Sequence, residues 1–188
     1  LAFLFRQVSG EITTARPRRN APTLYLLRTG TAPSLERLIM HMLPSAIPDR
    51  VAAAMMLKGL TARYLLRACF RVEHGMTVLF HAAAGGTGSI AVQWLKQLGC
   101  SVIATAGGKE KCARAKSLGA DHVIDYTVEN FAARVKEITN GKGVPVVYDG
   151  VGKATFEGSL DCLARRGMLV SFGAASGAIT FTGCGSKV

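Results

Sequence analysis

The stretch His81–Ile90, HAAAGGTGSI, follows the apolar run MTVLF and precedes the helical pattern AVQWLKQLG. An apolar strand, a glycine-rich turn and a helix in this order are typical of a turn that binds a pyrophosphate through its backbone amides. Set against G-x-G-x-x-G, the run has Ala83 in place of the first glycine and Gly85 and Gly88 as the second and third. The stretch therefore predicts a pyrophosphate site made of Ala83, Gly85, Gly86, Thr87 and Gly88.

Short β-rich runs alternate with helical runs on both sides of this turn. The strands are predicted over 77–83, 101–107, 122–126, 145–151 and 167–173, and the helices over 87–98, 109–118, 129–139 and about 154–164. Strands that are apolar along their whole length are buried on both faces, as a parallel sheet between two helical layers requires. The pattern predicts a doubly wound, Rossmann-like α/β sheet of about five strands.

The chain before this sheet has two unlike parts. Residues 1–47 are interrupted by prolines and are rich in arginine, so we predict an unassigned leader that is disordered or aberrant, with a mitochondrial transit peptide as the alternative. From Pro48 onward the spacing is helical, and it predicts two helices, DRVAAAMMLKG and LTARYLLRACFRV, separated at Gly59. The predicted domain therefore runs from 48 to 188.

Composition restricts the classes of function. The net charge is +11, but no run of five like charges is present, so RNA binding is a less favoured alternative to a solvated basic surface. Five cysteines without C-x-x-C spacing indicate free thiols in a reducing compartment and no structural zinc. No apolar run is long enough for a membrane helix. We expect a cytoplasmic protein, or a mitochondrial one, without a membrane partner.

The second predicted strand distinguishes NAD from NADP, because an acid at its tip would accept the ribose 2′-hydroxyl. The strand ends in ATAGGKEK, where Gly107 leaves space and Lys109, Lys111 and Arg114 supply positive charge. Glu110 is a rival for the acidic position, but a carboxylate in a first helical turn is favoured by the helix dipole alone. The sequence thus predicts NADPH, with Lys111 on the 2′-phosphate or, alternatively, only a solvated lysine.

Several blocks resemble one family in order and spacing. They are LKGLTARYLLR, FHAAAGGTGSIAVQWLKQLG, LGADHVIDY, VKEITNGKGVPVVYDGVG and SLDCLARRGMLVSFGAASG. Together they look like the NADPH:quinone oxidoreductases, the zinc-free zeta-crystallin branch of the medium-chain dehydrogenase/reductase superfamily. The resemblance runs from about Asp49 to Gly177.

This resemblance implies further site residues. It places Thr61 near the nicotinamide, Tyr126 at the adenosine end, and Phe172 with Gly173 beside the nicotinamide ribose; it also assigns Gly107 and Lys111 to the 2′-phosphate. The alternatives are structural: Thr61 as a helix N-cap, Tyr126 as a cap of the sheet and Phe172 as a core residue. His81 is predicted to be an ordinary hydrogen-bonded histidine.

The activity that the resemblance implies is hydride transfer from NADPH to a quinone or related enone. The family's N-terminal catalytic domain, a GroES-like β-barrel, and its sixth strand have no counterpart in the sequence, so we expect a truncated cofactor half and nominate no catalytic residue. The alternative is a non-enzymatic NADPH-binding module with a structural, regulatory or RNA-binding role. An uncovered sheet edge would favour a homo-oligomer.

Overall fold

The structure is a computed structural model that describes residues 24–27, 39–42 and 46–179. The chain divides into two compact units, Leu1–Met55 and Met56–Val188. In the first unit, strands β1 (Leu24–Leu27) and β2 (Ile39–Met42) form an antiparallel pair. Most of the predicted leader, residues 1–47, lies outside the described residues.

One helix stands where the sequence predicted two. Helix α1 (Asp49–Tyr64) passes through Gly59 and continues as a π-helical turn over Leu65–Cys69. A glycine inside a helix costs only about 1 kcal/mol relative to alanine, and burial of Leu65 and Leu66 beyond it favours continuing the helix. The predicted break at Gly59 is therefore wrong.

The second unit contains a five-stranded parallel sheet, which confirms the predicted α/β class. Its strands are β3 (Thr77–Phe80), β4 (Ser101–Ala106), β5 (His122–Asp125), β6 (Val144–Asp149) and β7 (Leu163–Ser171), in the order β5-β4-β3-β6-β7. The connecting helices are α2 (Gly86–Gln97), α3 (Lys109–Ser117), α4 (Phe131–Ile138) and α5 (Phe156–Asp161). The strand order reverses between β3 and β6, and ligands of such sheets bind at that point, beyond the carboxyl ends of the strands.

Both faces of the sheet are buried, as the apolar strands predicted. Along β3, Val78 and Phe80 face a cluster that includes Val92 and Leu95 of α2. Leu79, between them, faces the opposite cluster with Val135 of α4. This alternation fixes the register, because a slip by one residue would exchange the two faces.

Strand β7 begins earlier than the sequence predicted, at Leu163 rather than at 167. Val144 pairs with Leu163, whereas Val146 pairs with Met168, so β7 carries extra residues in a bulge. Within it, Arg166 has a φ of 66°, which is left-handed backbone. Helix α5 consequently ends at Asp161, shorter than the predicted run to 164.

Candidate dinucleotide-binding site

The turn after β3 lies at the carboxyl edge of the sheet and is held by backbone hydrogen bonds. Ala83 N–H donates to the Thr105 carbonyl at 3.0 Å, and Gly85 N–H donates to the Ala82 carbonyl at 2.9 Å. The left-handed residue of the turn is Ala82, with φ 51°, whereas Ala83 is not left-handed. Alanine at 83 is therefore compatible with the turn because no positive φ is required at the position of the missing first glycine.

Gly88 is the glycine whose lack of a side chain the packing demands. A Cβ atom there would lie 2.6 Å from the Ala82 carbonyl oxygen and 2.7 Å from the Ala83 Cα. At Gly85 the nearest atom would be the Ala82 oxygen at 3.1 Å, a milder conflict. The third glycine thus lets α2 approach the end of β3 closely, as the motif predicted.

The first turn of α2 presents free backbone donors. The amides of Gly86, Thr87 and Gly88 have no hydrogen-bond acceptor within the described part of the chain, whereas Ser89 N–H already donates to the Gly85 carbonyl at 2.8 Å. No acidic side chain lies in this first turn. Three adjacent N–H groups at a helix N-terminus make a site suited to an anion such as a diphosphate.

The ends of β4 and β5 bring Gly107 and Tyr126 together. A Cβ on Gly107 would lie 2.6 Å from the Tyr126 hydroxyl, so the ring lies directly over this glycine, and the side chain is 45% exposed. The neighbouring Gly108 N–H donates to Asp125 Oδ1 at 3.0 Å. Hydrogen bonds from Thr127 and from Gly108 lower the pKa of Asp125, so an anionic carboxylate lies at this end of the cleft.

Lys111 is exposed in the first turn of α3, and it forms no ion pair or hydrogen bond within the described residues. Glu110 occupies the same first turn, as the sequence predicted. An open cleft beside them is lined by Gly108, Lys109 and Asp125, among others. The cleft lining thus combines one lysine, Lys109, with two acids, Asp125 and Glu129, and its charge alone does not select a phosphate.

Phe172 and Gly173 follow β7 at the same edge of the sheet. The Phe172 ring lies 5.8 Å from the Phe80 ring and packs over Gly150, where a Cβ would be 2.8 Å from it. Gly173 approaches the Gly150 carbonyl so closely that its Cβ would lie 2.7 Å away. The Phe172 side chain therefore contacts the core, in agreement with the structural alternative for this residue.

Thr61 lies inside α1, where its hydroxyl donates to the Leu57 carbonyl at 2.8 Å. The alternative interpretation as an N-cap is wrong, because the helix does not restart at Gly59. One turn earlier, Lys58 packs along Gly86: its Cε, Cδ and Cγ lie 3.2–3.5 Å from the place of a glycine Cβ. Sequence reasoning missed Lys58, since nothing in the local pattern links α1 to the turn.

A buried polar network lies beneath the turn. His81 Nδ1 is 2.8 Å from Thr105 Oγ1, and His81 Nε2 is 3.0 Å from Ser159 Oγ. The Ser159 and Thr155 hydroxyls donate to Asp149 Oδ2 at 3.0 and 2.7 Å. His81 is therefore hydrogen-bonded at both ring nitrogens, as predicted, and the network joins β3, β4, β6 and α5.

His81 is neutral and Asp149 is ionised in this network, each for its own physical reason. Burial lowers the pKa of His81 to about 4, against the opposing effect of Asp149, so the imidazole is neutral at pH 7. Burial also disfavours ionised Asp149, but hydrogen bonds from the Gly152 amide and the Thr155 hydroxyl outweigh it and hold its pKa below the ordinary value. At pH 7, where His81 is neutral, the buried carboxylate is thus stabilised by hydrogen-bond donors.

Within residues 46–179 and the two short strands, no group of three or more His, Cys, Asp or Glu side chains is placed to hold a metal ion. None of the helices in the described ranges has the length and apolar character to cross a membrane.

Comparisons with known proteins agree with this geometry. Quinone oxidoreductase from Pseudomonas aeruginosa is 55% identical over 145 residues, which is 77% of this chain and 44% of the relative. A 2-haloacrylate reductase from Burkholderia is 51% identical over 131 residues, 70% of this chain and 39% of the relative. The crystal structure of Escherichia coli quinone oxidoreductase complexed with NADPH has a TM-score of 0.75 at 52% identity, over 78% of this chain and 45% of that one.

The chain thus spans less than half the length of these relatives. The sequence profile of the family described as zinc-binding dehydrogenases matches residues 86–184, from the glycine-rich turn through all the strands after β3. The relatives at 54–57% identity are named quinone oxidoreductases. Because the profile match includes more than half of the 188 residues, the chain belongs to the zinc-binding dehydrogenase family.

Proposed function

We propose that the chain binds NADPH and provides the cofactor-binding part, residues 48–188, of an NADPH-dependent quinone oxidoreductase. The observation that supports this most directly is the set of free amides at Gly86, Thr87 and Gly88, at the switch point of a parallel sheet. The relatives support it through their names, since quinone oxidoreductases are among them and one solved structure contains NADPH.

Each part of the cofactor has a proposed place. The diphosphate binds the turn from Ala83 to Gly88. Any larger residue at 88 would collide with the backbone of this turn. The adenosine lies against the exposed ring of Tyr126, with its 2′-phosphate between Gly107 and Lys111.

The nicotinamide end is proposed to lie toward α1 and the end of β7. There Thr61 and the backbone of Phe172 and Gly173 bound it. The Phe172 ring supports this backbone from the core side through its contact with Phe80. These residues orient the nicotinamide and exclude water from it; none is proposed to transfer a proton.

When bound, NADPH supplies a hydride, and the quinone takes that hydride and one proton from solvent to form the hydroquinone and NADP⁺. Positioning of donor and acceptor contributes much of the rate in such a reaction. The chain's part in that positioning is to bind the cofactor on a turn whose own backbone hydrogen bonds are already formed without it.

One experiment on one sample tests the proposal. Purified chain is titrated with NADPH while the fluorescence of Trp94, the single tryptophan on α2, and the melting temperature are followed. The same sample then receives 1,2-naphthoquinone, and loss of the reduced-nicotinamide absorbance is measured. We expect saturable NADPH binding tighter than that of NADH, followed by turnover.

The outcomes separate the candidate functions. Binding without turnover would support the alternative, a non-enzymatic NADPH-binding module. If NADPH changes neither the fluorescence nor the melting temperature, both functions are wrong. Equal affinity for NADH would contradict the proposed role of Lys111.

We also propose that the β7 edge of the sheet makes a homo-oligomer contact. Among the described strands β7 pairs only with β6, and Met168 on it is 45% exposed. Unpaired apolar strand edges favour pairing with a second chain. Sedimentation velocity should show concentration-dependent association of the chain. Met168→Lys places a charge on the β7 edge and should reduce this association; unchanged association would refute the contact.

A further inference from the structure

The side chain of Lys58 lies along the amide donors of the glycine-rich turn. Three of its carbons, Cγ, Cδ and Cε, are within 3.2–3.5 Å of the place that a Cβ of Gly86 would take. A run of three contacts means that the aliphatic stem follows the glycine rather than touching it with its tip. The ammonium is one bond beyond Cε, and is therefore held next to the first turn of α2.

The placement of this cation is electrostatically unusual. The N-terminus of a helix carries the positive end of the helix dipole, and acidic groups are favoured there. The first turn of α2 contains no acidic residue, and Lys58 has no ion pair or hydrogen bond within the described part of the chain. A lysine and three unpaired amides at one place repel each other unless an anion lies between them.

Resting on the proposed function, we infer that Lys58 is a ligand of the cofactor diphosphate, binding it together with the amides of Gly86 and Thr87. The stem packed on Gly86 restricts the side chain, so less rotamer entropy is lost on binding than for a free surface lysine. Gly86 has a second role in this arrangement, because the absence of a side chain there leaves room for the lysine stem.

Lys58 and Lys111 should differ in the ligands that they select. The diphosphate is common to NADPH, NADH and ADP-ribose, whereas the 2′-phosphate belongs to NADPH alone. Loss of the Lys58 charge should therefore weaken all three ligands by the same factor. Loss of the Lys111 charge should weaken NADPH and leave the other two unchanged.

The test is a binding titration of Lys58→Met in the full chain, with Trp94 fluorescence and thermal shift as readouts and NADPH, NADH and ADP-ribose as probes. Methionine keeps an unbranched apolar stem over Gly86 and removes only the charge. Loss of one charge-assisted hydrogen bond should raise the Kd about tenfold for each probe. Lys58→Arg, which keeps the charge, should recover most of the affinity.

Two controls make the result specific. Lys142→Gln removes one charge from an exposed lysine beyond α4 and should change no Kd, which excludes an effect of net charge alone. The melting temperature without ligand should be no lower for Lys58→Met than for wild type, because methionine keeps the apolar stem over Gly86 and removes a charge beside the amides. The slope of log Kd against log salt should also be shallower in Lys58→Met.

The failures of the two proposals are distinguishable. If wild type binds none of the three probes, the proposed function and this inference are both overturned. If wild type binds them and Lys58→Met binds them equally well, only the inference is overturned. Weakening of NADPH alone would likewise overturn it, since the diphosphate would then not be the group that Lys58 contacts.

Discussion

Acid should destabilise the second unit through His81, the buried histidine below the glycine-rich turn. The ring is 1% exposed, and Phe131 packs against it edge-on at 5.0 Å. The Ser159 hydroxyl gives its hydrogen to Asp149 and must accept from His81 Nε2, so Nδ1 is left as the acceptor for Thr105. Protonation of His81 would set the Nδ1 proton against the hydrogen of the Thr105 hydroxyl.

The size of the effect follows from the pKa in the two states. Burial lowers the pKa of His81 to about 4 in the folded chain, whereas its ordinary value is 6.5. Between these two values the unfolded chain binds a proton that the folded chain does not, so the free energy of unfolding falls as the pH falls. The interval corresponds to about 3 kcal/mol, with no change expected from this group above pH 7 and no further loss below about pH 4.

The assay is urea unfolding followed by Trp94 fluorescence at pH values from 7.5 down to 4.5, for wild type and His81→Gln. Glutamine cannot take up the proton, so the free energy of unfolding should fall less for the variant than for wild type over this range. The difference between the two falls should be about 2 to 3 kcal/mol. The comparison uses the slope with pH, because the variant also loses hydrogen bonds and is less stable at every pH. His74→Gln, at an exposed histidine, is the matched control and should keep the wild-type slope.

Asp149 acts in the same direction but at lower pH. Its pKa is held below the ordinary value of 3.8, so its stabilisation is present above that value and is lost as the pH falls through its folded pKa. The window for His81 is therefore separate from that of the carboxylate. Equal pH slopes for wild type and His81→Gln would refute the assignment of a neutral, buried imidazole.

Three further predictions concern single positions. Gly88→Ala places a Cβ 2.6 Å from a backbone oxygen, so it should lower the free energy of unfolding by about 1 to 3 kcal/mol and abolish the NADPH-induced thermal shift. In the control Gly86→Ala the new Cβ meets only the stem of a lysine, so the loss in the same urea assay should be less than about 1 kcal/mol. Gly107→Ala displaces the exposed Tyr126 ring and should raise the Kd for NADPH without lowering the melting temperature; an unchanged Kd would argue against the adenosine site. Asn130→Ala removes the side chain that accepts two amide hydrogen bonds at the start of α4 and should cost about 1 kcal/mol by urea unfolding, with no loss if the cap is unimportant.

The parts of the fold that the sequence predicted are those set by local pattern and by burial. The five strands and four of the helices follow from apolar runs that alternate with helical spacing, and the motif correctly placed Gly88 where a Cβ has no room. The errors have specific causes. Gly59 indicated a break because local propensity was given more weight than the burial of Leu65 and Leu66 on the far side of it. The bulge at Arg166 depends on pairing with β6, which no local pattern contains.

The side chains that complete the site are harder to predict for a related reason. The turn binds through its backbone, so the glycines that shape it are visible in the sequence, but the groups around it come from distant elements. Lys58 meets Gly86 across 28 positions of the chain, and Ser159 meets His81 across 78. In sequence Lys58 is one basic residue among 23, and Ser159 is one hydroxyl in a short helix. The contact between His81 and Ser159 forms because β3 and β6 are neighbours in the sheet, so a test of His81 by pH also tests that strand pairing.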